Sequence, residues 1–208
     1  MADVTDLEPF RKLASGNISD AMEMMGFRRS VILGLTMVAK PNAVMVGRAL
    51  TVRQLPKHVT AKADEGLVRH AEVSTSIAKK GQVVVIDCGG DVASASWGEI
   101  HSVKCVLRGV AGAVIDGATR DAQLIRETGF PMFCAAFTPV KSRWDLETAA
   151  IGEPVGIRGV QVRPDDIVFG DESGVIVVPK EHAAEILAKA TEICEAEEKI
   201  VADLRKKG

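Results

Sequence analysis

The sequence has few of the residues on which several classes of functional site depend. Its 208 residues include four histidines, four cysteines and no tyrosine, and aromatic residues make up 4%. So few aromatic rings argue against a stacking platform for single-stranded nucleic acid. The 26 basic residues are balanced by 28 acidic ones, which argues against binding nucleic acid through bulk positive charge. We therefore expect no nucleic-acid partner.

The four cysteines, Cys88, Cys105, Cys134 and Cys194, form no CxxC pair, which excludes a zinc knuckle or a thioredoxin-type motif. Their apolar surroundings predict buried, reduced thiols in a cytoplasmic protein. No apolar run approaches the roughly 20 residues of a membrane span. Residues 1–16 are polar and acidic, unlike a signal peptide. The expected location is the cytoplasm, with no membrane partner.

The composition, 47% hydrophobic and 26% charged, is that of a folded globular chain rather than a disordered one. Without linkers or repeats, residues 1–208 are predicted to form a single domain. Buried strands are expected at 82–86, 112–115 and 132–137. Helices are expected over 6–13, from Asn17 or Ser19 to Gly26, over 62–79, over 95–108, from the end of the Asp116–Asp121 loop to Glu127, and over 181–206. Extended or β-rich segments are expected at 43–54 and 151–179, including Val160–Val162 and Val175–Val178.

The alternation of strand and helix in the middle of the chain predicts an α/β fold, with a βαβ arrangement. A helix over 181–206 would be about 39 Å long, which exceeds the width expected of a domain of this size. We therefore expect its end to pack on a neighbouring subunit.

The segment Asp116–Asp121 follows one buried strand and precedes a helix, a common place for ligands in open α/β folds. Arg120 has the geometry to bind a carboxylate through two hydrogen bonds, and Asp121 offers a hard oxygen ligand to a cation. The alternative is that Asp121 only complements the helix dipole while Arg120 is a surface charge.

A second candidate segment, Gly98 to His101, follows the preceding strand and a Gly89-Gly90-Asp91 loop. Glu99 is a candidate base or a solvated acid, and His101 is a candidate ligand or a structural histidine. No GxGxxG, GK[ST] or GxSxG motif is present. Lys104 is better explained as a surface lysine than as a Schiff-base nucleophile.

Together these residues resemble one family. The string from Gly112 to Asp121 is similar to the G-x-V-x-D-G-x-x-R-D signature of the class II 4-hydroxy-4-methyl-2-oxoglutarate aldolase family, which also contains the regulator of ribonuclease E activity A. Four further segments fit its patterns in the same order: Asn17–Ala21, Gly47–Val52, Gly98-Glu99 and Gly170–Pro179.

The resemblance implies a compact α/β/α single domain with a central mixed sheet and a long C-terminal helix, assembled as a homotrimer or hexamer with its active sites between subunits. It implies that Asp121 is the protein ligand to Mg²⁺ or Mn²⁺, and that Arg120 binds the carboxylate and oxo groups of a 2-oxo acid. Backbone N–H groups of Gly98, Glu99, Ile100 and His101 would contact the substrate. Glu99 would orient a metal-bound water. A further catalytic acid would come from the neighbouring C-terminal helix, with Glu198 the best candidate and Glu197 or Glu195 the alternatives.

The implied reaction is a metal-dependent retro-aldol cleavage that releases pyruvate, with oxaloacetate decarboxylation through the same pyruvate enolate. Two alternatives stay open. One is a non-enzymatic regulator that binds a ribonuclease, although such members tend to lack the acid that Asp121 supplies here. The other is a related lyase that acts on a different oxo acid.

Overall fold

The computed structural model describes residues 6–62 and 64–207, so the first five residues of the polar amino-terminal stretch lie outside it. In chain order the strands are β1 (Val31–Ile32), β2 (Thr36–Val38), β3 (Met45–Pro56), β4 (Gln82–Asp87), β5 (Ala95–Trp97), β6 (Gly112–Thr119), β7 (Met132–Phe137), β8 (Leu146–Ile151), β9 (Val155–Ile157), β10 (Val160–Val162), β11 (Ile167–Asp171) and β12 (Gly174–Val178). The helices are α1 (Ser15–Met24), α2 (His70–Glu72), α3 (Glu99–Leu107), α4 (Ala122–Thr128) and α5 (Ala183–Lys207). Short 3-10 turns lie at Glu8–Lys12, Ser142–Trp144 and Lys180–His182.

One large mixed sheet organises the chain, with the strand order β1-β12-β11-β3-β4-β6-β7-β2. The central strands β3, β4, β6 and β7 are parallel, while β11, β12, β1 and β2 add antiparallel edges. The short β5 pairs with β6 and β8 pairs with β3. The βαβ prediction and the predicted fold class are confirmed: a mixed α/β fold with a large mixed sheet and a long C-terminal helix.

Both faces of the parallel strands are covered, which explains their continuous apolar sequences. On one face Val84 and Ile86 of β4 pack with Cys105 of α3 and Ile125 of α4. On the other face Val83 and Val85 pack with apolar residues of the β9–β10 hairpin. Because β4 and β5 both pair with β6 in parallel, the carboxyl ends of these three strands meet at one edge of the sheet, beside the starts of α3 and α4.

Three predicted boundaries are wrong. The helix expected over 62–79 begins only at His70 and ends in a π-helical turn at Val73–Ile77. The preceding segment is held along β8, because the amide of Thr148 donates to Leu67 O and the amide of Arg69 donates to the Thr148 hydroxyl. The strand expected over 112–115 continues to Thr119, since β6 has partners on both sides as far as that residue. Most of the expected 116–121 loop is therefore strand.

The helix expected over 95–108 is also shorter, since Ala95–Trp97 form β5 and α3 begins at Glu99.

The long helix α5 is confirmed, and its two halves differ in burial. Ala183, Ile186 and Ala190 are buried, and the helix packs against α1. Farther along, Ile200 and Leu204 are 59% and 64% exposed. Contact with a neighbouring subunit stays a prediction. None of the helices in the described ranges is long and apolar enough to cross a membrane.

Candidate active site

A pocket of about 430 Å³ opens at the edge of the sheet where β5 and β6 end. It brings together residues of both candidate segments: Gly98, Ile100 and His101 from one, and Arg120 from the other. Its lining residues are Gly66, Val68, His70, Ala71, Ala95, Ser96, Trp97, Gly98, Ile100, His101, Arg120, Lys141, Ser142 and Arg143. Three of these side chains are cationic and none is acidic, so the pocket suits an anionic ligand.

Hydrogen bonds from β6 to Trp97 hold the two candidate segments together. The Arg120 amide and the Thr119 hydroxyl both donate to the Trp97 carbonyl, each at 3.1 Å. The Trp97 indole is buried and donates to the Ser102 hydroxyl at 3.0 Å. This brings Gly98 so close to the motif that a Cβ on it would lie 2.9 Å from Asp121 Oδ2 and 3.2 Å from Arg120 Cγ. A side chain at position 98 would therefore displace the Asp121 carboxylate.

Asp121 lies next to the pocket residues Gly98 and Arg120, in a strained backbone conformation, and lines an adjoining pocket with Arg120 and Phe137. Its φ of +60° is in the left-handed region, which a residue other than glycine rarely adopts and which is common at functional sites. Its Oδ2 accepts from the Glu99 amide at 3.3 Å and lies 3.4 Å from Arg120 Nε. The side chains of Arg120 and Asp121 remain 31% and 33% exposed. Both are therefore held in place while still open to a ligand.

The donor set at this edge fits a hard divalent cation better than zinc. Within residues 6–62 and 64–207, no three His, Cys, Asp or Glu side chains are grouped so as to hold a metal. Asp121 thus offers a single carboxylate, and the space beside it exists because position 98 has no side chain. Mg²⁺ is commonly held by one or two carboxylates, with waters and substrate oxygens completing its shell. Zinc in proteins takes three or four protein ligands.

The predicted acids have different surroundings. Glu99 begins α3 and lies beside the pocket through its backbone, although its side chain is not part of the lining. Glu195, Glu197 and Glu198 are exposed on α5, and none of the pocket residues comes from this helix. The Glu197 carboxylate accepts from Asn17 Nδ2 of the same chain at 2.7 Å.

The sequence reasoning missed one wall of the pocket, which includes His70, Ser96, Ser142 and Arg143. Gln54 Nε2 lies 2.9 Å from His70 Nδ1 and its Oε1 accepts from Ser96, while His70 Nε2 lies 3.2 Å from the Ser142 hydroxyl. Burial, and secondarily His101, lower the pKa of His70 to about 3. These residues belong to no motif in the sequence, and only the close approach of β3, α2 and the 138–145 segment reveals them.

The comparisons with known proteins agree on one family. A family model described as "RraA-like: Aldolase/RraA" matches residues 15–177. A protein of Halalkalibacterium halodurans named "Putative 4-hydroxy-4-methyl-2-oxoglutarate aldolase" is 33% identical over 192 residues, which cover 91% of this chain and 83% of that protein. "Protein DlpA" of Legionella pneumophila is 30% identical over 189 residues, 89% of this chain but only 29% of DlpA.

Among solved structures, the crystal structure of Streptomyces coelicolor RraAS2 superposes with a TM-score of 0.81 at 29% identity, covering 95% of this chain and 96% of that one. RraAS2 is described as "an unusual member of the RNase ES inhibitor RraA protein family".

Proposed function

The chain belongs to the RraA-like family, and we propose that it is a divalent-metal-dependent carbon–carbon lyase that cleaves 4-hydroxy-4-methyl-2-oxoglutarate-type acids to pyruvate. The observation that carries the proposal is the placement of Asp121 beside Gly98 and Arg120, two residues that line a cationic pocket. The relative from H. halodurans, whose name is that of such an aldolase, aligns over most of both chains. We expect the same site to decarboxylate oxaloacetate.

Asp121 is the proposed metal ligand, with Mg²⁺ or Mn²⁺ as the ion. When bound there, the cation supplies Lewis-acid polarisation of the substrate's 2-oxo group. Two features support this role: the Asp121 carboxylate accepts from the Glu99 amide, and the absence of a side chain at Gly98 leaves room beside it.

Arg120 is the proposed anchor for the substrate carboxylate, since a guanidinium binds a carboxylate through two parallel hydrogen bonds. Backbone N–H groups at the start of α3, from Gly98 to His101, orient the ligand. As the C3–C4 bond breaks, negative charge moves onto the pyruvate enolate, and the positive charge of Arg120 stabilises it. Glu99 and an acid of a neighbouring C-terminal helix, with Glu198 the first candidate, are the proposed acids that position water.

A coupled pyruvate assay tests the proposal, with 4-hydroxy-4-methyl-2-oxoglutarate and oxaloacetate as separate substrates, each with Mg²⁺ and with EDTA. We expect pyruvate from both substrates with Mg²⁺ and a loss of activity with EDTA. Activity that survives EDTA contradicts the metal assignment. No pyruvate from either substrate contradicts the lyase.

A second candidate function is the binding of a ribonuclease, which the likeness to RraAS2, a member of an RNase ES inhibitor family, favours. We expect this function only if the lyase assays are negative. Co-purification with a ribonuclease, together with inhibition of RNA cleavage by the pure chain, would support it.

The proposed assembly is a homotrimer or hexamer of cytoplasmic chains. The exposed apolar side chains near the end of α5, Ile200 and Leu204 among them, are the surface expected to contact a neighbouring subunit. Light scattering at micromolar concentration tests it, and a monomer would contradict it.

A further inference from the structure

The side chain of His101 offers the pocket a nitrogen that is not used by the fold. His101 lines the pocket together with Gly98 and Arg120. Its Nδ1 lies 3.0 Å from the hydroxyl of Ser74, a buried residue in the π-helical turn after α2. Within the described part of the chain, Nε2 has no hydrogen-bond partner. Because Nδ1 faces the interior, Nε2 is the nitrogen left for a ligand.

The surroundings of Ser74 determine which nitrogen of His101 carries the proton. The Ser74 hydroxyl lies 3.1 Å from His70 O and 3.2 Å from Ala71 O, and carbonyl oxygens only accept hydrogen bonds. Its neighbours Thr75 and Ser76 likewise bond the carbonyl four residues back. When the Ser74 hydroxyl donates to a carbonyl, its oxygen accepts from His101 Nδ1–H. A neutral ring then has its lone pair on Nε2.

The environment also keeps the imidazole neutral. Burial, and then the positive charges of Lys104 and Arg120, lower the pKa of His101 to about 4. The rings of Trp97 and His70 pack against it, with centroids 5.3 and 5.8 Å away. At neutral pH the ring is therefore unprotonated, which leaves the lone pair on Nε2 free.

We propose that His101 Nε2 is the group that accepts the C4 hydroxyl proton in the retro-aldol cleavage, and this inference rests on the proposed function. The hydroxyl proton passes to Nε2, the C4–O bond becomes a carbonyl, and the C3–C4 bond breaks. The electron pair of that bond forms the pyruvate enolate, which takes a proton at C3, and the imidazolium returns its proton to solvent. One 4-hydroxy-4-methyl-2-oxoglutarate thus yields two pyruvates.

Glu99 is the competing acceptor, and the geometry favours His101. The imidazole is part of the pocket lining, whereas the Glu99 side chain is not. A ligand in the pocket would therefore lie against the His101 ring, whose Nδ1 is engaged by Ser74, rather than against the Glu99 carboxylate.

The tautomer is measurable without any activity, by long-range ¹H–¹⁵N correlation spectra of the histidine rings. We expect His101 in the Nδ1–H form at pH 7.5, and we expect Ser74→Ala to change the balance of tautomers. An Nε2–H form in the wild type would overturn the proposal.

The kinetic test compares two substrates in His101→Gln, because decarboxylation of oxaloacetate has no hydroxyl proton to remove. Glutamine keeps a polar group near the Nε2 position but does not act as a base. We expect the kcat for 4-hydroxy-4-methyl-2-oxoglutarate to fall by about 10²–10⁴-fold, the usual contribution of a positioned acid or base. The kcat for oxaloacetate should fall far less, by under about tenfold on the same scale.

A parallel loss on both substrates would overturn the role of His101 while leaving the lyase intact. A wild type that cleaves neither substrate would overturn the lyase and this inference with it. As a second variant, His101→Ala should regain retro-aldol activity when imidazole is added, and an absence of rescue counts against the proposal. Circular dichroism of each variant confirms that it is folded.

Discussion

The strand β6 and the residues after it carry two aspartates, and the structure uses them in opposite ways. Asp116 is buried, and its Oδ1 accepts from Arg158 Nε at 2.7 Å. Five residues later, Asp121 lies beside the pocket residue Arg120, with its Oδ2 3.4 Å from Arg120 Nε and its side chain one-third exposed. Asp116 is buried and already engaged by a short ion pair, whereas both side chains of the second pair are partly exposed to solvent. We call the first pair the latch and the second the mouth pair.

The latch joins the sheet edge to the β9–β10 hairpin. Arg158 and Gly159 form the two-residue turn of this hairpin, with φ values of +48° and +82°, as a tight hairpin turn requires. An arginine in this conformation is strained, and its ion pair with Asp116 offsets that strain. The mouth pair also includes a strained residue, Asp121, but there the side chain faces a pocket. Strain alone therefore does not identify a functional residue, since the strained Arg158 is as exposed as the strained Asp121. The two differ because Arg158 is held in a short ion pair with a buried aspartate, whereas Asp121 lies beside the pocket residue Gly98.

The largest expected difference between the two pairs is in catalysis. Asp121→Asn should lower the kcat/KM for pyruvate release by about 10³-fold, since Lewis-acid stabilisation contributes several kcal/mol and each factor of ten corresponds to about 1.36 kcal/mol. Asparagine tolerates left-handed backbone, so the melting temperature should stay near that of the wild type. Coupled pyruvate assays and calorimetry measure the two effects. Full activity in Asp121→Asn would contradict the proposed role of Asp121 as a metal ligand.

The next effect is on stability, at the latch. Asp116→Asn should lower the free energy of unfolding by about 2 kcal/mol, less than the cost of breaking a fully buried pair because Arg158 is 34% exposed. The kcat should change much less than in Asp121→Asn. Urea unfolding measures the loss. A fully stable but inactive Asp116→Asn would place Asp116 in the site and contradict its assignment as a latch.

A pair of glycine variants sharpens the same comparison. Gly98→Ala would place a Cβ 2.9 Å from Asp121 Oδ2, and we expect about a tenfold loss of kcat/KM, or about 1.4 kcal/mol, from the displaced carboxylate. Gly156→Ala, in the hairpin beside the latch, meets nothing within 4 Å and should leave activity unchanged. Equal kcat/KM values for the two variants would contradict the close approach at Gly98.

The smallest expected effect is the loss in the free energy of unfolding at lower pH that comes from His70 in the pocket wall. The pKa of His70 is lowered to about 3 by burial, while in the unfolded chain it is about 6.5. The unfolded state therefore binds more protons between these values, and stability falls as the pH decreases from 7 towards 3. Between pH 7 and pH 6 this amounts to about 0.7 kcal/mol for one histidine.

Urea unfolding at both pH values measures this difference, which His70→Gln should reduce by the contribution of that histidine. An unchanged pH response in His70→Gln would show that His70 is not held neutral.

The sequence predicted the parallel core of the fold well and the pocket only in part. Apolar β-branched runs such as 82–86 identify buried strands, because only a strand covered on both faces is apolar throughout. Gly98 and Arg120, 22 residues apart, were both found as candidates since each follows a strand. The sequence pattern predicts helix at 64–69, which is not helical, because the pattern does not show the hydrogen bonds of Leu67 and Arg69 that hold this segment along β8.

The sequence by itself determined the family, the mixed α/β fold and the two candidate segments, since periodicity and motifs are local properties of the chain. Only the tertiary structure decided which aspartate is buried and which is open, and it alone placed His70 and Arg143 beside Arg120. It also directed His101 Nδ1 towards Ser74. The physical reason is that burial, strain and hydrogen-bond direction depend on which segments meet at the edge of the sheet.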